Sequence, residues 1–392
     1  LEFTGWIYGI FLIVAVLVYW LVPRDLKGYF LLAASVLFIL YASPFYLILL
    51  FLLSSTVYFI SRKAFDRRFW LITGTIIPLA VLGYYKYQGL LKEILDIIGQ
   101  IPGFHLSFAP IQAALPLGIS YFTFKLIHFT VDSYQGNRPE DTYWRFLLYM
   151  FFFPILPMGP IERWPNFVNQ AWKLKGFRWD YLSEGLARII TGLFKKLVLA
   201  DTLALYSEKL NAAGLSSTVY WIAIYAYALR IYFDFSGYSD IAIGSARFFG
   251  FRVMENFNNP YLKRNLSLFW KSWHMSLTGW FRDYVFIPLG GSRAGFNRTV
   301  INTLVVMAVT GLWHGASLHF ILWGLFHGGG LIILRLYNKL IAARLPAYWH
   351  ESRLSYALST LLTFHFVTVG WVFFAEDFQQ SFYVIKKLLF IL

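Results

Sequence analysis

The sequence predicts an all-α polytopic membrane protein. Three observations carry that prediction. Of the 392 residues, 58% are hydrophobic, 21% aromatic and only 14% charged, where a soluble domain carries about 25% charged residues. Apolar runs of roughly 17 to 20 residues recur, each long enough to cross about 30 Å of hydrocarbon as a helix. The excess of Lys and Arg, a net charge of +14, gathers in short connections between those runs, as the positive-inside rule requires.

The elements follow in order. The first run, WIYGIFLIVAVLVYWLV (6–22), lacks the basic flank and small-residue cleavage site of a signal peptide and reads as a span. Arg24 and Lys27 follow it. An uncharged turn, ASP, precedes PFYLILLFLLSSTVYFI (44–60), and the basic SRKAFDRR (61–68) leads into FWLITGTIIPLAVLGYY (69–85). Alternating spans put both basic connections in the cytoplasm and the N-terminus outside. YKYQGLLKEILDIIGQ (85–100) reads as an amphipathic helix on the outer surface. LPLGISYFTFKLIHFTV (115–131) and YMFFFPILPMGPIERW (149–164) hold Pro and Gly at membrane-like hydrophobicity, so they are read as broken segments buried in protein or lining a cavity. Residues 218–251 have a span's length but contain Arg230, Asp234 and Asp240. A polar island, 255–298, reads as re-entrant or interfacial, and three apolar runs close the chain. The expectation is about ten or eleven spans in one membrane-embedded domain, 1–392. It comprises N-terminal spans (1–110), a core (111–374) and a tail (375–392).

Composition also excludes. No cysteine occurs, which removes disulfides, thiolate metal sites and a cysteine acyl-enzyme. The positive charge has no compact soluble basic domain to carry it, so the bilayer, and no nucleic acid, is the expected partner. There is no G-x-S-x-G elbow, no H-E-x-x-H and no Walker A loop. The eight histidines show no zinc spacing near carboxylates, so no metal is expected.

Within VTGLWHGASLHF (309–320), His314 follows Arg298, a membrane boundary, by sixteen residues, or about 24 Å of helix. An ionisable residue at that depth is a functional candidate by default, against the plainer role of hydrogen-bonding two helices together. Gly311 and Gly315 bracket it, so another backbone or a slender ligand can approach closely. Neutral imidazole is a suitable general base for a hydroxyl. His327, in LFHGGG, faces glycines and is placed beside the same cavity, while His105, His319 and His350 are read as peripheral. Asp234 with Tyr238, and Ser236 with Asp240, each share a helix face. Arg230, one turn before Asp234, is its expected partner in a structural network. Arg282 with Asp283, and Glu162 with Arg163, are expected to fix re-entrant segments.

Six stretches occur in order: LPLGISYFTF, GPIERW, YFDFSGYSDIAIGSARFFGF, ENFNNPY, FWKSWHMSLTGWFRDYVFIPLGG and GLWHG. Together they resemble the membrane-bound O-acyltransferase family over roughly Leu115 to Phe374. The likeness is to its bacterial branch of alginate and peptidoglycan O-acetylation proteins. The resemblance implies a helical bundle around a central tunnel. It places the family's invariant histidine on His314 and a second histidine on His274, the first activating the acceptor hydroxyl, the second orienting substrate or donating to the oxyanion. An interfacial anchor in WKSWH is the structural alternative for His274. Trp313, Gly311, Gly315, His327 and Trp273 would line the tunnel. Lys271, Arg293 and Arg298, beside Lys263 and Arg264, would meet the phosphates of coenzyme A, although topology alone also explains them. No permanently bound cofactor is implied; acetyl-CoA or another acyl thioester would be co-substrate. An extracytoplasmic polysaccharide-modifying partner protein and the bacterial inner membrane are further implications. The histidines here are 40 residues apart, closer than the resemblance leads one to expect, and the chain looks short at its C-terminus. Two rivals remain: D-alanyl transfer from a carrier protein to teichoic acid, and a proton-coupled transporter or flippase, which would lead one to expect internal repeats. None is found.

Overall fold

A computed structural model describes all residues except 1–2, 101–114, 117, 138–141, 172–175, 294, 345, 347–351 and 391–392. His105, His350, Lys173 and Lys175 lie outside the described residues. The described chain is helical, with no strand.

The helices are α1 (Trp6–Leu21), α2 (Lys27–Ala42), α3 (Pro44–Ser61), α4 (Arg68–Lys86), α5 (Gln88–Gly99), α6 (Ile119–Tyr134), α7 (Tyr143–Phe151), α8 (Trp164–Ala171), α9 (Trp179–Leu193), α10 (Asp201–Ser207) and α11 (Ser217–Phe248). They continue with α12 (Leu266–Trp270), α13 (Met275–Phe281), α14 (Phe296–His314), α15 (Leu318–Leu340), α16 (Arg353–Gly370), α17 (Val372–Ala375) and α18 (Phe378–Leu388). Five stretches among the described residues are long and apolar enough to cross a membrane: Arg24–Ala42, Pro44–Ser61, Arg68–Lys86, Leu318–Leu340 and Arg353–Ala375, with the shorter α1 beside them. That is fewer than the apolar runs suggest. The central runs are divided into short helices and buried turns, and the long α11 carries charges along its length.

The chain forms two compact units interleaved in sequence: Leu1–Lys86 with Ile111–Lys195 and Ser236–Glu255, and Tyr87–Pro110 with Lys196–Phe235 and Asn256–Leu392. In the first, the uncharged turn is a cap: Ser43 accepts from the Tyr46 N–H, and Pro44 opens α3 where its missing N–H costs nothing. The broken segment 152–163 is non-helical and, apart from the exposed Met158, largely buried, so its backbone must find partners inside the protein. It finds them. The Phe153 N–H donates to Ser35 Oγ (3.2 Å), and the fully buried Glu162 carboxylate accepts from the N–H groups of Arg163 and Met254 (2.9 Å each) and from Asn166 Nδ2 (2.7 Å). Tyr149 donates to the Glu162 carbonyl (2.8 Å), and Lys125 donates to the carbonyls of Tyr149 and Met150. Gly118, at φ +68°, turns the chain into α6; a Cβ there would stand 2.4 Å from the Leu156 carbonyl oxygen.

In the second unit, Trp270, Trp273, Trp323 and Trp371 form the core with Tyr220, Phe269, Val367 and Phe373. Fully burying one such ring contributes about 2–3 kcal/mol, so these rings dominate the packing of α12, α15 and α16.

Candidate functional site

His314 is the last residue of α14 and is half-buried. Gly315 ends the helix in extended backbone, and Ser317 opens α15. The tight join depends on glycine. A Cβ on Gly311 would lie 2.0 Å from the Phe320 carbonyl oxygen, one on Gly324 2.1 Å from that of Met307, and one on Gly315 1.8 Å from the Phe320 ring. Of the two approaches left open by the sequence, Gly311 and Gly324 serve another backbone, while Gly315 makes room for the Phe320 ring. That contact sets His314 among rings: Trp323 at 5.2 Å, Phe374 at 5.0 Å and Trp313 at 4.8 Å between centroids.

His274 stands beside this group. Its backbone is left-handed (φ 43°), costly for a residue with a Cβ, and it caps the start of α13. Asn256 holds the strained turn: its carbonyl accepts from the Met275 N–H (2.8 Å) and its side-chain oxygen from Ser276 Oγ (2.6 Å). The buried ring packs edge-on against Phe235 (4.6 Å) and lies 5.8 Å from Trp313. Burial, reinforced by the neighbouring His314, holds the His274 imidazole well below its ordinary range. It is therefore neutral at pH 7, with one N–H to donate and one lone pair.

Two histidines within electrostatic reach of each other and walled by aromatic rings can move one proton. The motifs that carry them match a known pattern as well. The profile of "MBOAT, membrane-bound O-acyltransferase family" matches residues 116–346. The chain belongs to the membrane-bound O-acyltransferase family. Among its relatives, the probable alginate O-acetylase of Pseudomonas aeruginosa is 38% identical over 321 residues, 80% of this chain and 58% of that protein. The peptidoglycan O-acetyltransferase of Helicobacter pylori is 32% identical over 357 residues, 82% and 64% respectively. The teichoic acid D-alanyltransferase of Bacillus subtilis is 31% identical over 273 residues, 66% and 68%. The chain thus spans less than two thirds of the length of the alginate-type relatives it matches.

For this member of the family, several expected roles change. Asp234 pairs with Lys196, not with Arg230; Arg230 instead donates to Ser207 Oγ (3.0 Å). The long arginine reaches past its own helix, and the lysine after α9 arrives from outside it. Asp240 accepts from Arg188 Nε (2.5 Å) and Lys195 Nζ (2.6 Å). Tyr238 packs its ring 6.5 Å from that of Phe3. Arg282 and Asp283 pair with each other on an exposed stretch (2.8 Å), a geometry that fixes little, whereas Glu162 does hold its segment. His327 is fully buried among Trp270, Trp323 and Phe366, within 5.1–5.8 Å, and its Nε2 abuts Gly370. Its setting is the aromatic core, with Gly370 making room for its Nε2. Trp273 is core too, stacked on Phe269 at 5.6 Å. Lys271, Arg293 and Arg298 are exposed, with Arg298 donating to the Leu289 carbonyl (3.3 Å).

His319, read as peripheral, bonds through Nδ1 to the carbonyl of Phe373 (3.0 Å), next to the Phe374 that touches His314. The carbonyl can only accept, so Nδ1 carries the proton. Sequence reading also passed over Phe235, Trp323 and Phe374, which no local pattern distinguishes from other aromatics. It passed over Glu93 of α5, which accepts from the Leu318 N–H at the start of α15 (3.3 Å) and so complements the positive end of that helix.

Proposed function

We propose that the chain moves an acyl group, acetyl first, from a cytoplasmic thioester to a hydroxyl of an extracytoplasmic polysaccharide or of a partner protein that modifies it. The carrying observation is the neutral His274 beside His314 at the end of α14, inside a family whose relatives include alginate and peptidoglycan O-acetylases. In this reading His314 takes the hydroxyl proton as the oxygen attacks the thioester carbonyl. His274 donates its N–H to the oxyanion of the tetrahedral intermediate. That intermediate then collapses, the C–S bond breaks, and the imidazolium of His314 returns its proton to the departing thiolate. Ester and free thiol result, and both histidines end as they began. The donor approaches from the basic cytoplasmic side, the acceptor from the outer side of the inner membrane, with the N-terminus outside. Acetyl-CoA serves as co-substrate, its phosphates met by Lys271, Arg293 and Arg298.

A second reading, D-alanyl transfer from a carrier protein to teichoic acid, draws support from the larger share of the teichoic acid relative that the chain covers. The test is direct. Membranes with the wild type or His314→Ala at matched expression receive labelled acetyl-CoA, and free thiol and labelled acceptor are followed. Thiol release and transfer by the wild type alone support the acetyl reading. Equal turnover in both removes His314 from the mechanism. Turnover only with a D-alanyl carrier moves the chain to the second reading.

A further inference from the structure

The first unit holds a cavity of about 430 Å³ that the acyl chemistry does not use. Trp20 at the end of α1, Gln170 of α8, Arg178 and Tyr181 at the start of α9, and Arg247 and Arg252 around the end of α11 bound it. A neighbouring cavity of about 500 Å³ shares Arg247 and Arg252 and is walled by Ile243 and Phe251 together with the charged Glu184, Arg188 and Glu255.

Three arginines line the first cavity against one carboxylate, Asp180. Asp180 accepts from Arg178 Nε (2.9 Å) and lies 3.7 Å from Arg247, whose own Nε donates to Glu184 (2.7 Å). Arg178 keeps its terminal nitrogens, and the exposed guanidinium of Arg252 has no carboxylate partner among the described residues. The frame is built in advance. Gln170 accepts from the Arg252 N–H (2.8 Å) and donates to its carbonyl (2.9 Å). Gly250 turns at φ +84°, where a Cβ would stand 3.3 Å from the Tyr181 ring. That ring carries the Arg247 guanidinium 4.5 Å over its face and stacks on Trp20 at 6.0 Å.

Planar guanidinium forks converging on one cavity match the geometry of a phosphate. Trp and Tyr beside them, at the end of an apolar helix, are the composition of a membrane–water boundary. We propose that this cavity binds the phosphate ester of an anionic ligand, with Arg178 and Arg252 as its forks and Trp20 and Tyr181 as its floor. A lipid headgroup and a soluble phosphate ester share that chemistry; the Trp20 and Tyr181 rings beside the forks, at the end of the apolar α1, favour the lipid.

The test uses the whole chain in phosphatidylcholine nanodiscs. Phosphatidylglycerol is added in one arm and glycerol 3-phosphate in the other, and bound ligand is counted by native mass spectrometry. Arg252→Gln and Arg178→Gln are compared with Arg353→Gln, an exposed arginine of the second unit that controls for bulk charge. The expected result is selective retention of phosphatidylglycerol, about tenfold weaker in Arg252→Gln and unchanged in Arg353→Gln. The Arg252 backbone bonds to Gln170 do not involve its side chain, so that variant keeps the fold, which an unchanged melting temperature verifies. Retention of glycerol 3-phosphate alone, lost in Arg252→Gln, keeps the phosphate site and assigns it to a soluble ester. Equal retention by wild type and Arg252→Gln, or none by either, overturns the proposal.

Discussion

Two helix contacts in this molecule solve the same steric problem in opposite electrical settings. Gly311 and Gly324 bring α14 and α15 to backbone contact, and Gly185, Gly192 and Gly244 do so for α9 and the C-terminal half of α11. Around the first pair stand aromatic rings and the imidazole of His314. Around the second stand carboxylates held by Arg188, Lys195 and Arg247. The difference teaches where chemistry can occur. A carboxylate clamped by two cations is an anchor, since removing its charge leaves partners unpaired. An imidazole walled by aromatic rings is desolvated, and His274 is held neutral in that way, able to pass a proton.

The comparison breaks at its strongest point if His314 is dispensable. His314→Ala is expected to lower acyl transfer about 10² to 10⁴-fold, with melting temperature close to wild type; kinetics and melting on one preparation separate the two effects. Gly311→Ala comes next. The added methyl meets a backbone carbonyl and cannot be relieved by a rotamer change, so about 3 kcal/mol of stability is expected to go, read as a lower midpoint in detergent-resistance titration. A midpoint equal to wild type would show that α14 and α15 have room to part. Asp240→Asn leaves Lys195 without its anion and Arg188 with Glu255 alone. Both cations are partly accessible, so the loss is about 2 kcal/mol, below that of a fully buried pair, with transfer rate per folded molecule unchanged.

The histidine side sharpens through pH. The folded state holds His274 below its ordinary range, while the unfolded chain titrates near pH 6.5. On acidification the unfolded state binds the proton first, so stability is fullest above about pH 6.5 and falls below it, by up to about 1.4 kcal/mol per pH unit. His274→Gln should flatten part of the decline between pH 7 and 5 in thermal melts; an identical slope would place His274 in solvent. The smallest effect belongs to Arg282→Ala. Its exposed pair with Asp283 should be worth no more than about 0.5 kcal/mol, and a larger shift would make that segment part of the packed fold.

How much was legible follows from how local each signal is. The uncharged ASP turn was visible because capping needs only neighbours, and α1, α3 and α4 because hydropathy is a property of a run. The broken segment 149–164 was legible from its prolines. Arg230 was assigned to Asp234 on helical spacing alone, and Lys196 displaced it from another element. His319 was set aside because its partner, the Phe373 carbonyl, lies 54 positions away.

By itself, then, the sequence determined an all-helical membrane protein of this family, with His314 and His274 as the residues to watch. Composition, run length and ordered motifs survive without coordinates. Only the tertiary structure decided what surrounds them: the rings of Phe235, Trp323 and Phe374, the left-handed turn that Asn256 imposes on His274, and the glycines spent on backbone contact. Those depend on which helix faces pack together, and packing joins residues that the chain keeps far apart.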